Sequence, residues 1–194
     1  MSYTFTDLGS EILLIEDLLD LDTCQQVIGV AEHCGFEDAK VLMGAVDQQV
    51  RDSGILALDR RDPTLKSTNA LMLRGVNIIQ EALYRWYGIR FDRPEPCSVL
   101  RYGPGQQYQR HVDNILLSSR FMEVEQGVPT RDVSIVGYLN DDFGRGEIVF
   151  DRQNIKVVPK RGSAIVFPAY YTHPHQALPV RSGQKYAWTT WLYH

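Results

Sequence analysis

The chain is poor in the features that would place it quickly in a class. Its three cysteines stand at 24, 34 and 97, without paired metal-ligand spacing. If Cys24 and Cys34 share a helix, a rise of about 1.5 Å per residue parts them by about 15 Å, well beyond the ~7 Å Cα limit of a disulfide. They read as reduced packing residues, which excludes a disulfide framework or a cysteine zinc site. No apolar run approaches the roughly 18 residues that a membrane-crossing helix needs. The opening MSYTFTDLGSEILLIEDLLDL is acidic and lacks the basic start and apolar centre of a secretory signal. There is no concentrated basic stretch, and a net charge of -4 gives no general reason to bind nucleic acid or an acidic membrane. Internal repeats, low-complexity tracts and long Pro/Gly/Ser linkers are also missing. These absences leave a soluble, cytoplasmic, single-domain protein over residues 1–194 as the expectation.

What is present divides by periodicity. The part from 1 to about 90 is helical in flavour. Asp20 or Asp22 can cap a helix through TCQQVIGVAEHC that ends at Gly35, and a second runs from about Leu65 to Tyr87 with Gly88 as its stop. Between them, VLMGAVDQQVRDSGILALD carries β-branched and turn residues fit for one or two short strands. From about residue 91 the pattern becomes strand-like: CSVLRY, QYQRHVD, DVSIVGYL, GEIVF, IKVV, SAIVFP and KYAWTTWLY follow one another. The turns GPG, NDDFGRG, PKRG and PVRSG separate them. Close strands without intervening helices predict an antiparallel sandwich or barrel on supporting N-terminal helices, an α+β, mainly β architecture.

The first chemical signal is His111-Val112-Asp113. On a strand, side chains at i and i+2 leave the same face, so an imidazole and a carboxylate can meet one ion. Two histidines and one carboxylate with open positions form the ligand set of non-haem Fe(II) oxygenases. Alone, His-x-Asp is more often an ordinary polar pair, so a third ligand is needed. His33 reads as a helical surface residue and His194 as a mobile terminus. His173 and His175, in PAYYTHPHQALPV, both remain open as ligands or as polar loop residues. Ten residues after His175 comes Lys185, on a Trp/Tyr-rich strand whose alternate residues face a core. A buried ammonium needs a partner, and a dicarboxylate would supply one.

The longer pattern resembles the prolyl 4-hydroxylase-type branch of the 2-oxoglutarate/Fe(II) oxygenases, and is similar to PKHD-type hydroxylases within it. The residues that carry the resemblance are RYGPGQQYQRHVDN, with a tyrosine nine positions before His-x-Asp, and HQALPVRSGQKY. RDVSIVGYLNDDFGRGEIVF between them is like the family's central hairpin, and VRDSGILAL is like a segment preceding its core. The resemblance implies a double-stranded β-helix, or jelly roll. It makes His111, Asp113 and His175 the metal ligands and gives His173 a loop or ligand-supporting role. Lys185 and Tyr102 would bind 2-oxoglutarate, with Ser134 near it; Tyr108, Arg131 and Trp191 would face the substrate. Arg181 is the alternative cation to Lys185. The implied cofactors are Fe(II), 2-oxoglutarate and O2, with L-ascorbate sustaining turnover as is common in that family. The implied activity is hydroxylation of an aliphatic C–H bond, first of all on a prolyl residue of a peptide or protein. The alternatives are a free amino acid or small metabolite as substrate and a non-catalytic, cupin-like metal module. A nucleic-acid demethylase fits the charge less well, and an incidental sugar-binding β-sandwich fits the spacings less well. NILLSSRFMEVEQGVPT, at 114–130, is expected to be a substrate lid. No motif sets an oligomeric state.

Overall fold

The computed structural model describes residues 3–39, 51–59, 61–91, 93–114, 125, 127 and 130–193, except for the side chain of Arg93. The expected lid at 114–130 and the terminal His194 lie almost wholly outside these residues.

The chain opens with a hairpin, β1 (Thr4–Asp7) and β2 (Leu13–Glu16), where the sequence reads as helical in flavour. Helix α1 (Leu21–Cys34) follows; the Asp20 carboxylate accepts from the Thr23 N–H, and the Gly35 N–H closes on the Ala31 carbonyl. Strands β3 (Glu37–Asp38) and β4 (Gly54–Ala57) lead to helix α2 (Pro63–Tyr87), capped by Asp62 and ended by Gly88 in the left-handed region. The rest is β structure: β5 (Arg93–Pro94), β6 (Ser98–Tyr102), β7 (Tyr108–His111), β8 (Val133–Tyr138), β9 (Gly144–Arg145) and β10 (Ile148–Phe150). There follow β11 (Ile155–Val157), β12 (Ala164–Pro168), β13 (His175–Ala177), β14 (Val180–Ser182) and β15 (Lys185–Tyr193).

The strands pair antiparallel. A large sheet runs β1-β2-β12-β8-β15-β6-β4-β3, with β5 on the end of β15; a smaller one runs β11-β10-β13-β7, and β14 pairs β9. The first ninety residues thus supply strands to the large sheet as well as helices. Period-2 alternation gives that sheet two working faces. On β15, Trp188 and Leu192 pack towards the buried residues of α1 and α2, in one core with Val27, Met72 and Ile79. Lys185, Ala187, Thr189 and Trp191 point the other way, into the space between the sheets. A second core of Leu100, Tyr138, Phe150, Ile165 and Phe167 fills the closed part of that space. Gly137 lets the Trp188 indole cross β8, since a Cβ there would lie 2.1 Å from its Nε1.

All three cysteines are free. Cys24 and Cys97 are buried, as the packing reading requires; Cys34, in the last turn of α1, is exposed and does not fit that reading.

Candidate active site

The open end of the space between the sheets is a cavity of about 480 Å³. His111 and His175 meet in it because β7 and β13 place them directly opposite each other in register. Their ring centroids are 4.3 Å apart. Asp113 joins them by a route different from the strand alternation expected of His-x-Asp. β7 ends at His111, and the chain then bends, with the Asn114 N–H bonded to the Ala169 carbonyl at 2.9 Å. The Asp113 Oδ1 comes to 3.2 Å from His111 Nε2 and 3.7 Å from His175 Nε2. One ligand atom from each of the three residues lies within 4.8 Å of the others.

The ring orientations follow from carbonyls that can only accept. His111 Nδ1 faces the Gln109 carbonyl at 2.7 Å and His175 Nδ1 the His173 carbonyl at 3.2 Å, so each Nδ1 carries a proton and each Nε2 lone pair is left for the ion. Burial pushes the His175 imidazole down to about 4, against the upward pull of Asp113. Burial also raises the Asp113 carboxyl, but His175 and His111 outweigh it and hold the group well below the usual carboxylate range. A low imidazole pKa at His175 and a low carboxyl pKa at Asp113 favour the deprotonated donors that a divalent ion requires. Phe150 and Phe167 flank His175 at 5.6 and 4.7 Å, and Tyr108 stacks on His111 at 3.5 Å, so the donors sit against aromatic walls.

Deeper in the cavity, Lys185 and Tyr102 are direct cross-strand partners on β15 and β6. Lys185 Nζ donates to the Gly146 carbonyl at 2.7 Å and lies 5.1 and 5.3 Å from the Tyr102 and Tyr138 ring centres. Gly146, at φ 81, can bring its carbonyl there because a Cβ would crowd Lys185, Val180 and Phe143 at 3.2–3.3 Å. Burial lowers the Lys185 pKa to about 7, with Glu147 pulling the other way. Arg181, the alternative cation, is exposed. Ser134 is fully buried on β8 between Phe167 and Trp191, and is not among the residues lining the cavity.

At the mouth, Arg131 and Trp191 come together, with the guanidinium 3.5 Å above the indole. The arginine is also held by Glu95, at 2.6 and 2.9 Å to the two carboxylate oxygens, and donates to the Asp113 carbonyl at 3.3 Å. Glu95 was invisible to sequence reasoning, since a lone glutamate before Pro96 carries no signal. Arg51 and Tyr138 also line the cavity unforeseen. Arg51 lies 4.8 Å over the Tyr108 ring. The Arg51 Nε, Tyr138 hydroxyl and Trp191 Nε1 are buried without a hydrogen-bond partner among the described residues. Such unpaired groups around one cavity are what a polar ligand would satisfy.

Two histidines and a carboxylate at one rim of a jelly roll, with a buried lysine behind them, define the class of non-haem metal proteins that take an anionic second ligand. The comparisons narrow this. The family model for the 2OG-Fe(II) oxygenase superfamily matches residues 97–193. A protein of Acanthamoeba polyphaga mimivirus named as a prolyl 4-hydroxylase is 30% identical over 92% of the chain and 72% of its own length. A PKHD-type hydroxylase of a Psychrobacter strain is 29% identical over 92% and 68%. The viral collagen prolyl hydroxylase of Paramecium bursaria Chlorella virus-1, solved as a 2-oxoglutarate complex, superposes with a TM-score of 0.70 at 22% identity over 95% of this chain and 96% of that one. A Trichoplax adhaerens prolyl hydroxylase bound to a hypoxia inducible factor peptide gives 0.72 at 19%, over 95% and 84%. The chain belongs to the 2OG-Fe(II) oxygenase superfamily. It is a 2-oxoglutarate-dependent dioxygenase that uses Fe(II), 2-oxoglutarate and O2, and its His-Asp-His cluster fits the iron.

Proposed function

We propose that the protein hydroxylates a prolyl residue of a peptide or protein substrate, with His111, Asp113 and His175 as the iron ligands and Lys185 as the anchor of 2-oxoglutarate. The observation that carries the site assignment is the pairing of a three-donor cluster with a deeply buried lysine in one cavity. An ammonium this buried, hydrogen-bonded to a neutral carbonyl, is costly without an anion. The prolyl assignment rests on the named relatives in mimivirus, Chlorella virus and Trichoplax, the last solved with a peptide in place.

In this reading His111, Asp113 and His175 would hold the metal. Lys185 and the Tyr102 hydroxyl would take the far carboxylate of 2-oxoglutarate and so orient it in the cavity. Bound together, Fe(II) and 2-oxoglutarate supply the oxidation: one oxygen atom of O2 ends in succinate, the other in the hydroxylated product, and carbon dioxide leaves. Tyr108, Arg131 and Trp191 present two aromatic faces and a fixed cation at the mouth. A peptide carbonyl can take an Arg131 N–H left over from Glu95, and a proline ring can lie against the indole.

The test is succinate formation by iron-loaded protein with 2-oxoglutarate against proline-containing peptides, free proline and other amino acids, with and without ascorbate. Peptide-stimulated succinate with a matching +16 Da peptide product is expected, and Asp113→Ala should abolish both. Product from a free amino acid alone would replace the peptide assignment. Absence of succinate from folded, metal-bound protein would leave a non-catalytic metal module.

A further inference from the structure

His173 is the buried histidine to which the reading above gives no task. It is 5% exposed, and both ring nitrogens are engaged. Nε2 lies 2.7 Å from the Ser10 carbonyl, which can only accept, so Nε2 donates; the Thr172 hydroxyl sits 2.9 Å from Nδ1. The ring is therefore engaged with the turn between β1 and β2. That turn is unusual. Gly9, Ser10 and Glu11 have φ of 95, 54 and 57°, three left-handed residues in succession, two of them not glycine. Such backbone persists where surrounding contacts over-determine it. Here it is closed by the Leu8 N–H on the Ile12 carbonyl at 2.9 Å, and its outward Ser10 carbonyl meets His173.

The other side of His173 faces the metal ligands. Its carbonyl accepts from His175 Nδ1 at 3.2 Å, and Pro174 between them restricts His173 to extended backbone. The neighbouring carbonyls are also pinned: Arg152 donates to Tyr171 at 3.0 Å and Gln153 to Thr172 at 2.8 Å. The segment before His175 is thus tied to the β10–β11 turn at one point and to the N-terminal hairpin at the next.

We propose that His173 is a positioning residue for His175: it fastens this segment to the β1–β2 turn, so that its own carbonyl fixes the rotation and tautomer of the ligand imidazole. The proposal rests on His175 being a ligand. Groups that orient a metal-bound histidine through its second nitrogen are worth about 10–100-fold in metal affinity or activity.

The probe is Co(II) alone, whose visible bands report coordination geometry, titrated into the full chain. Wild type should bind and His175→Ala should not; failure of wild type to bind would sink the ligand reading itself. His173→Phe keeps the volume and removes both hydrogen bonds. It should bind Co(II) about ten-fold more weakly with shifted visible bands. His173→Gln, whose amide N–H can reach the Ser10 carbonyl, should recover most of both. Wild-type affinity and bands in His173→Phe would overturn the proposal, as would a His173→Gln as weak as the phenylalanine variant. Should His173→Phe fail to fold by circular dichroism, Thr172→Val removes only the hydroxyl on Nδ1. It should weaken Co(II) roughly three-fold, and an unchanged affinity there would count against the proposal equally.

Discussion

The two ends of the cavity are built by different means. At the end proposed to take 2-oxoglutarate, Lys185 and Tyr102 face each other within an unbroken ladder: β15 pairs with β6 from Lys185 to Thr189 and with β8 from Ala187 to Leu192. The backbone ladder fixes where those residues stand, and the Gly146 carbonyl then holds the lysine head. At the metal end, β13 is three residues long, and its pairing with β7 shifts register between His175 and Ala177. Side chains complete what the short ladder leaves open: Arg110 on Asp151 at 2.8 Å, Arg152 and Gln153 on the segment before His175, and His173 on Ser10. The lesson is one of sensitivity. Single side-chain changes outside the ligands should disturb the metal end more readily than the cosubstrate end.

The largest effect should come from the ligands themselves. His175→Ala removes one of three protein donors, and Fe(II)-dependent succinate formation should fall by more than the roughly 10–100-fold seen when only an orienting group is lost. Affinity for 2-oxoglutarate at the lysine is a separate matter, so the two ends can be told apart. Full activity in His175→Ala would remove it from the ligand set.

Lys185→Ala should do the reverse. It deletes a charge-assisted hydrogen bond of about 1.5–3 kcal/mol, roughly ten- to a hundred-fold in cosubstrate affinity. Steady-state kinetics should show a raised KM for 2-oxoglutarate, while Co(II) titration gives wild-type metal affinity. A metal affinity that fell together with the KM effect would break the comparison, because the two ends would then be one cooperative unit.

The same division explains what the sequence could reveal. The strand at the proposed cosubstrate end was legible because KYAWTTWLY, rich in aromatic and β-branched residues, matches β15 from end to end. The helices were legible from their caps, with Asp20 and Gly35 bounding α1 and Gly88 ending α2. The opening hairpin was not, because LLIE buries Leu13 and Ile15 in a four-residue strand too short to show a period, in a run whose acidic and leucine content favours helix. At the site, the spacing of His111, Asp113, His175 and Lys185 was readable, but the reason Asp113 works was not: it lies beyond the strand, turned back by a bond from Asn114 to Ala169, distant in sequence. Glu95 escaped altogether, and His173 was read as a loop or ligand-supporting residue without its partner, for a related reason. Their partners, Arg131 and Ser10, are fixed by the fold rather than by any local pattern.

The smallest effect, and the one most particular to the cosubstrate end, is in protons. Burial holds Lys185 near 7 rather than 10.5 in the free site. A bound dicarboxylate favours the ammonium and raises that value. Below pH 7 the lysine is already charged, and binding should carry no proton through this group. Above it the free site is increasingly neutral, so binding 2-oxoglutarate must take up a proton, approaching one near pH 8, and affinity should fall up to about ten-fold per pH unit. Stability runs the other way in the ligand-free protein: between about 7 and 10.5 the unfolded chain holds the lysine proton that the folded chain has lost, so this group's penalty shrinks as pH rises. Calorimetric titration at pH 8 in buffers of different ionisation heat measures the uptake directly. Uptake near one in wild type and near zero in Lys185→Ala would place the proton on this lysine; equal uptake in both would assign it elsewhere and leave the cosubstrate end without its anchor.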